Sequence, residues 1–147
     1  MEIKDILSPG SAKTAVPGTS KKRVLETLSA IAAEASYEID AEMALNSLIH
    51  RERMGSTGIG EGIALPHGRI AGLNKPIAVA ITCTPAIDFD AIDNQPVDVF
   101  FALLVPEHEN QNYLKVLSNV ASKLNDKSIV EKLRTAKNDH ALYEALT

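Results

Sequence analysis

Apolar residues along the chain change their period several times, and the changes mark the elements. Val24, Leu28, Ile31 and Ala35 recur at helical spacing behind Ser20, a residue suited to capping, which predicts an amphipathic helix from about 20 to 36. Asp40 opens a second helix with Leu45, Leu48 and Ile49 facing inward, and Gly55 just past Met54 has the identity of a helix terminator. Ile77–Ile81 and Val97–Val105 are instead near-continuous apolar runs rich in β-branched residues, the signature of strands covered on both faces. Asp93-Asn-Gln-Pro96 is the turn between them. Three further helices are expected, opened by Asn112, Asp126 and Asn138, each followed by apolar residues at helical spacing. At the start, residues 2–7 fit one helical turn, Ser8-Pro-Gly10 reads as an interruption, and Lys13–Val16 as a short strand. The expected fold is α/β: a single three-layer domain over residues 1–147, with a small central mixed β-sheet and helices on both faces.

One stretch fits neither period. In Gly55-Ser-Thr-Gly-Ile-Gly-Glu-Gly-Ile-Ala-Leu-Pro-His-Gly-Arg69, Gly55, Gly58, Gly60 and Gly62 lie within eight residues, and His67 follows Pro66. Such a loop can turn several N–H groups toward one oxyanion, and Pro66 biases Leu65 to extended geometry, so Ile63-Ala-Leu65 reads as a short strand delivering His67. A P-loop would close on Gly-Lys-Ser/Thr, and a dinucleotide fingerprint would have a strand before it and a helix at its end; the order here is the reverse. A flexible turn carrying a surface histidine is the plain alternative. Arg51 falls in the last turn of the second helix, where the helix dipole alone accounts for a cation.

Arg51-Glu-Arg-Met-Gly-Ser-Thr-Gly-Ile-Gly-Glu-Gly-Ile-Ala-Leu-Pro-His-Gly-Arg69 resembles the active-site signature of the type-2 enzyme IIA domains of the bacterial phosphotransferase system. Asp90–Asp98 and Phe101–Pro106 are more similar to the stand-alone nitrogen-type member than to the fructose or mannitol types. The resemblance runs over nearly the whole chain. It implies that His67 accepts a phosphoryl group on Nε2 from an HPr-like phosphocarrier, that Arg51 assists the transfer, and that no metal or other cofactor takes part. It also implies regulatory partners, potassium transport or sensor components among them. Where the family usually carries a second histidine, after the Leu-Val-Pro segment, this chain has Tyr113. A phenol can donate a hydrogen bond to a phosphoryl oxygen but carries no proton charge near pH 7.

Elementary chemistry agrees with such a role. Phosphoryl transfer has a loose transition state, so a carrier presents a nucleophile and stabilises spread negative charge, and a neutral imidazole does the first. For Nε2 to attack, Nδ1 should hold the proton and give it to a fixed acceptor such as a backbone carbonyl. Ser56, Thr57, Gly58 and Gly60 are candidate oxygen binders, with turn chemistry as their alternative role. Glu61 and Arg69 flank the site.

Composition narrows the classes further. Hydrophobic residues make up 45% of the 147 and charged residues 23%, ordinary for a globular chain. The formal charge of −4 leaves no footprint for nucleic acid. Lys21-Lys-Arg23 crowds a helix first turn where the dipole disfavours cations; a solvated cluster or an anionic partner surface would account for it. The lone Cys83 sits in an apolar run and reads as a small buried hydrophobe, consistent with a reducing cytoplasm. No leader or membrane-inserting segment is recognised in the sequence. His108 between Glu107 and Glu109 has no metal-ligand spacing, and His50 and His140 fall on helices. A sugar-type enzyme IIA, a binding module whose histidine is never phosphorylated, and a phosphohydrolase are the competing functions; the last would need a general acid or a metal beside His67.

Overall fold

In the computed structural model, residues 2–108 and 111–147 are described, and for Gln111 and Asn112 the backbone alone. Glu109, and the side chain of Asn112 as a helix cap, lie outside that description. A 3-10 turn, Ile3–Asp5, leads into strand β1, Leu7–Pro17. Helices α1, Lys21–Ala35, and α2, Ala41–Arg53, follow; then the short strands β2, Gly58–Gly60, β3, Ile63–Ala64, and β4, His67–Ile70. Two long strands, β5, Ile77–Ile87, and β6, Val97–Pro106, precede α3, Gln111–Leu124, α4, Lys127–Thr135, and α5, Asp139–Leu146. The helix starts are capped where the sequence puts short polar side chains: Ser20, Asp40, Asp126 and Asn138 accept hydrogen bonds from Arg23, Met43, Ser128 and Ala141 N–H groups.

The strands form one mixed sheet in the order β1-β5-β6-β3-β2, with β4 also on β6. β1 runs parallel to β5, β5 antiparallel to β6, and β3 and β4 parallel to β6. Alternation along β5 splits the core. Ile77, Val79, Ile81 and Cys83 face a cluster with Val24, Leu28 and Ile31 of α1 and Ala44 and Leu48 of α2. Ala78 and Ala80 face the other cluster, with Val116, Val120 and Leu124 of α3, Val130 and Leu133 of α4, and Leu142 and Leu146 of α5. Both faces are therefore covered, and the α/β three-layer arrangement read from the sequence is the one observed.

Two local expectations change. The first helical turn stops at Asp5, ahead of Ser8-Pro-Gly10, and the strand expected at Lys13–Val16 is longer: β1 runs through Ser8-Pro-Gly10 as well, with register shifts against β5 between Leu7 and Ala12 and between Lys13 and Val16. An edge strand has only one ladder to satisfy, so it tolerates a proline without N–H and the bulges beside it. The glycine loop is itself a β-hairpin. Gly60 pairs with Ile63, and the two residues between them, Glu61 and Gly62, have φ of 56° and 80°, the left-handed pair that a type I′ turn requires.

Candidate functional site

His67 sits where two short strands meet at one edge of β6. β3 and β4 keep the same offset against β6 on either side of Pro66, Ala64 opposite Phe100 and His67 opposite Leu103. The Leu103 N–H donates to the Pro66 carbonyl at 2.9 Å, so the ladder survives a residue that has no N–H of its own. β4 is missing from the sequence reading, which ended the strand before Pro66. Its second residue explains why His67 is followed by glycine: a Cβ at position 68 would lie 2.1 Å from Ser47 Oγ on α2. Helix α2 is thereby seated close against β4, and Ser47 Oγ donates to the Arg69 carbonyl at 2.9 Å.

That close seat brings Arg51, in the last turn of α2, onto the imidazole. Arg51 Nε donates to His67 Nε2 at 3.2 Å, and Arg51 Nη1 donates to the Gly55 carbonyl at 2.8 Å. On the other side of the ring, His67 Nδ1 lies 2.8 Å from the Leu65 carbonyl. A carbonyl can only accept and a guanidinium can only donate, so the two contacts agree on one tautomer: proton on Nδ1, lone pair on Nε2. The sequence calls for a backbone acceptor without naming it, and the structure supplies the Leu65 carbonyl. Burial, opposed by the Leu65 hydrogen bond and aided by the Arg51 charge, lowers the pKa of His67 below the ordinary 6.5. The ring is thus neutral and nucleophilic at Nε2 near pH 7.

Tyr113, at the start of α3, brings its ring to 5.8 Å from that of His67, tilted by 55°. Burial raises its phenol pKa, with the Arg69 and Arg51 charges opposing, so it stays protonated. Arg69 lies over the Tyr113 ring at 4.9 Å and donates to the Glu107 carbonyl at 3.0 Å. His67, Arg51, Tyr113 and Arg69 therefore form one group drawn from α2, β4 and α3.

The four loop candidates are occupied otherwise. Ser56 Oγ donates to the Phe89 carbonyl at 2.8 Å and accepts from Gly58 N–H at 3.0 Å. Thr57 is buried, and its N–H and hydroxyl both go to the Glu52 carboxylate. Gly58 packs against Ala91, where a Cβ would meet Ala91 Cβ at 2.8 Å, and Gly60 belongs to the hairpin ladder. Glu61 is exposed at the hairpin turn; Asp93 accepts from its N–H at 2.9 Å, and Arg134, paired with Asp98 at 3.0 Å, donates to its carbonyl. The contacts described tie these residues to α2, to the loop after β5 or into the hairpin, and none of them is a direct contact with the imidazole.

Glu52 and Lys21 are the residues sequence reasoning missed. Lys21 Nζ lies 3.1 Å from Glu52 Oε2, with the glutamate side chain only 5% exposed, and 4.6 Å from the centre of the Phe89 ring. Lys21 is thus an internal ion-pair partner rather than part of a solvated cluster, while Lys22 and Arg23 are exposed. The available signal was Thr57 five residues after Glu52, one helix terminus apart, but nothing in the sequence linked either to Lys21. Cys83 is buried, and burial pushes its thiol up to about 11, as expected of an inert core cysteine. Among the described residues no group of His, Cys, Asp and Glu is arranged to hold a metal ion, and no helix is long and apolar enough to cross a membrane.

Comparison with known proteins draws these features together. Residues 5–147 match the family described as "Phosphoenolpyruvate-dependent sugar phosphotransferase system, EIIA 2". A protein of Pseudomonas aeruginosa named "Nitrogen regulatory protein" is 41% identical over 144 residues, covering 98% of this chain and 94% of that one. One of the same name from Escherichia coli is 40% identical over 148 residues, covering 100% and 90%. The crystal structure of the nitrogen regulatory protein IIA-Ntr of Neisseria meningitidis superposes with a TM-score of 0.88 at 36% identity, covering 97% of each chain. The chain belongs to the type-2 enzyme IIA family of the phosphoenolpyruvate-dependent phosphotransferase system.

Proposed function

We propose that this protein is the phosphoryl carrier of a nitrogen-type phosphotransferase chain: it takes a phosphoryl group on His67 Nε2 from an HPr-like phosphocarrier and binds regulated proteins according to its phosphorylation state. The observation that carries this reading is the pair of contacts on one ring, the Leu65 carbonyl at Nδ1 and the Arg51 guanidinium at Nε2. The first holds the proton away from the nucleophilic nitrogen. The second stands where a phosphoryl group would arrive.

In the transfer, the Nε2 lone pair forms the bond to phosphorus as phosphorus leaves the donor's ring nitrogen, which recovers its electron pair. The His67 ring gains positive charge at that moment, and the Leu65 carbonyl keeps the Nδ1 proton engaged. Arg51, giving up its contact with Nε2, turns its donors to the equatorial oxygens, where a planar cation with several N–H groups is most effective. Tyr113 supplies a neutral donor from the other side. The hydroxyls of Ser56 and Thr57 hold the segment before the hairpin, through Phe89 and Glu52, rather than the phosphoryl oxygens. The names of the relatives favour regulation over sugar uptake: a fructose-specific EIIA component of Haloferax volcanii is 32% identical over 130 residues, below the nitrogen regulatory proteins. One added phosphoryl group brings up to about two negative charges, enough to create or abolish a partner contact. Potassium transport and sensor components are the partners this reading expects.

Intact-mass spectrometry after incubation with phosphoenolpyruvate, enzyme I and an HPr-type carrier tests it. One acid-labile phosphoryl group is expected, absent from His67→Ala. No addition, with the donors active on another acceptor, overturns the carrier reading in favour of a binding module.

A further inference from the structure

We propose that Glu52 is a positioning residue for phosphoryl acceptance, acting on His67 through a chain of hydrogen bonds rather than by touching the phosphoryl group. The inference rests on the carrier reading for its kinetic consequence, but not for its structural one. It begins from an oddity of placement. Glu52 is the neighbour of Arg51 in the last turn of α2, where the helix dipole disfavours an anion, and its side chain is 5% exposed. A carboxylate withdrawn from water is stable only if its oxygens are satisfied. Here they are: Lys21 Nζ lies 3.1 Å from Oε2, and the Thr57 N–H is shared between Oε1 at 3.2 Å and Oε2 at 3.1 Å, with the Thr57 hydroxyl also on Oε1.

The chain of contacts then runs to the imidazole. The Thr57 carbonyl accepts from Leu65 N–H at 3.0 Å, and the Leu65 carbonyl accepts from His67 Nδ1 at 2.8 Å. Glu52 thus fixes residue 57, residue 57 fixes residue 65, and residue 65 selects the tautomer and aims the ring. Lys21 anchors the far end; its Nζ also lies 3.7 Å from Asp90 Oδ2 and 3.5 Å from the Phe89 carbonyl, the oxygen that Ser56 Oγ holds at 2.8 Å. Helix α1, helix α2 and residue 57 meet at the Glu52 carboxylate, and the loop after β5 is tied to them through Lys21 and Ser56. The geometry also separates two duties within a dipeptide: Arg51 acts on Nε2 directly, while Glu52, on the next residue, acts on Nδ1 at three removes. The negative charge of Glu52 further favours the cationic ring that forms during transfer, in the direction it shifts His67.

The test uses Glu52→Gln and Thr57→Val in the full chain, with Thr57→Ser as the conservative control. The unphosphorylated proteins are labelled with 15N, and the two ring nitrogens of His67 are observed directly. In the wild type a single Nδ1–H tautomer is expected; in Glu52→Gln the two tautomers should mix, with Thr57→Val intermediate and Thr57→Ser close to the wild type. Single-turnover transfer from a phosphorylated HPr-type carrier should slow by about tenfold to a hundredfold in Glu52→Gln at saturating donor, with the half-saturating donor concentration unchanged, as expected of misaimed rather than weakened contacts. An unaltered tautomer with an unaltered rate overturns the proposal, as does a loss confined to donor affinity. If Glu52→Gln does not fold, the Thr57 pair decides: equal tautomer populations and rates in Thr57→Val and Thr57→Ser overturn it. If the wild type accepts no phosphoryl group, the carrier reading fails on its own, and the ring-nitrogen measurement still judges Glu52.

Discussion

His67 is approached from both faces of the sheet, and the two approaches are built differently. From the face of α1 and α2 comes Arg51, hydrogen-bonded to Nε2 at one end and to the Gly55 carbonyl at the other. From the face of α3 comes Tyr113, which meets the imidazole only as a tilted ring at 5.8 Å and is itself covered by Arg69. Directional hydrogen bonds, one to the imidazole and one to a main-chain carbonyl, hold the first side to a narrow geometry. Aromatic and cation–π contacts have broad minima and let the second side adjust. On the proposed carrier reading, the α2 side sets the geometry of transfer and the α3 side is the one with room to adjust.

The sharpest way to break this asymmetry is Arg51→Ala. The transfer rate is expected to fall by on the order of 10²–10³, as for loss of a preorganised donor to a developing anion, and Arg51→Lys should recover little because an ammonium lacks the planar fork. Rapid-quench single-turnover kinetics give the ratio; a larger loss in Tyr113→Phe than in Arg51→Ala would invert the comparison.

Stability probes the same contrast. Gly68→Ala places a methyl 2.1 Å from Ser47 Oγ and should destabilise by roughly 1–3 kcal/mol in urea unfolding, partly relieved by Ser47→Gly. Leu114→Ala on α3, 66% exposed, should stay within about 0.5 kcal/mol. Similar losses at the two positions would show that α2 is no more tightly seated than α3.

A pH series tests the neutral ring. Because the folded pKa of His67 is below 6.5, the unfolded chain binds the proton more readily, so stability rises with pH between the folded value and 6.5 and is lost as pH falls through that window. Transfer by the folded protein should fall only as pH drops through the lowered folded value itself and be flat above it. His67→Gln should remove that part of the slope in thermal unfolding; an unchanged slope would place the titration elsewhere.

The smallest effect is assigned to Tyr113→Phe, about a threefold slower transfer, in keeping with one neutral hydrogen bond. Tyr113→His adds a titrating partner and should introduce a second acid-dependent limb beside that of His67. An unchanged rate in Tyr113→Phe would remove the hydroxyl from the mechanism while leaving the ring contact.

Much of this was legible in the sequence. Ser20, Asp40, Asp126 and Asn138 announced helices because a cap is a local event, and β5 and β6 announced themselves by apolar runs that only a doubly covered strand would carry. His67 stood out because Pro66 and the glycines narrow what its backbone can do. The hairpin was harder to see: Gly58 and Gly60 carry no side-chain alternation, so β2 leaves no periodic trace, and Glu61 adopts φ of 56° only because Gly62, Asp93 and Arg134 hold the turn around it. β4 was hidden by the same Pro-His-Gly that marked the site, since the partner supporting it, β6, lies far along the chain. The Lys21–Glu52 pair was illegible for a related reason. Its partners belong to different helices, and their pairing exists only once both helices lie on the sheet.

The shared register of β3 and β4 along β6 has a consequence for signalling. His67 is stitched on both sides of Pro66 to a strand whose residues from Val99 to Val105 are all buried. On the proposed carrier reading, a mount of this kind favours displaying a chemical mark over passing it on as a displacement of distant elements. On that reading, a partner comes to the edge of the sheet and senses a change of charge on a surface whose shape the sheet supports, so the molecule works as a printed label and not as a lever.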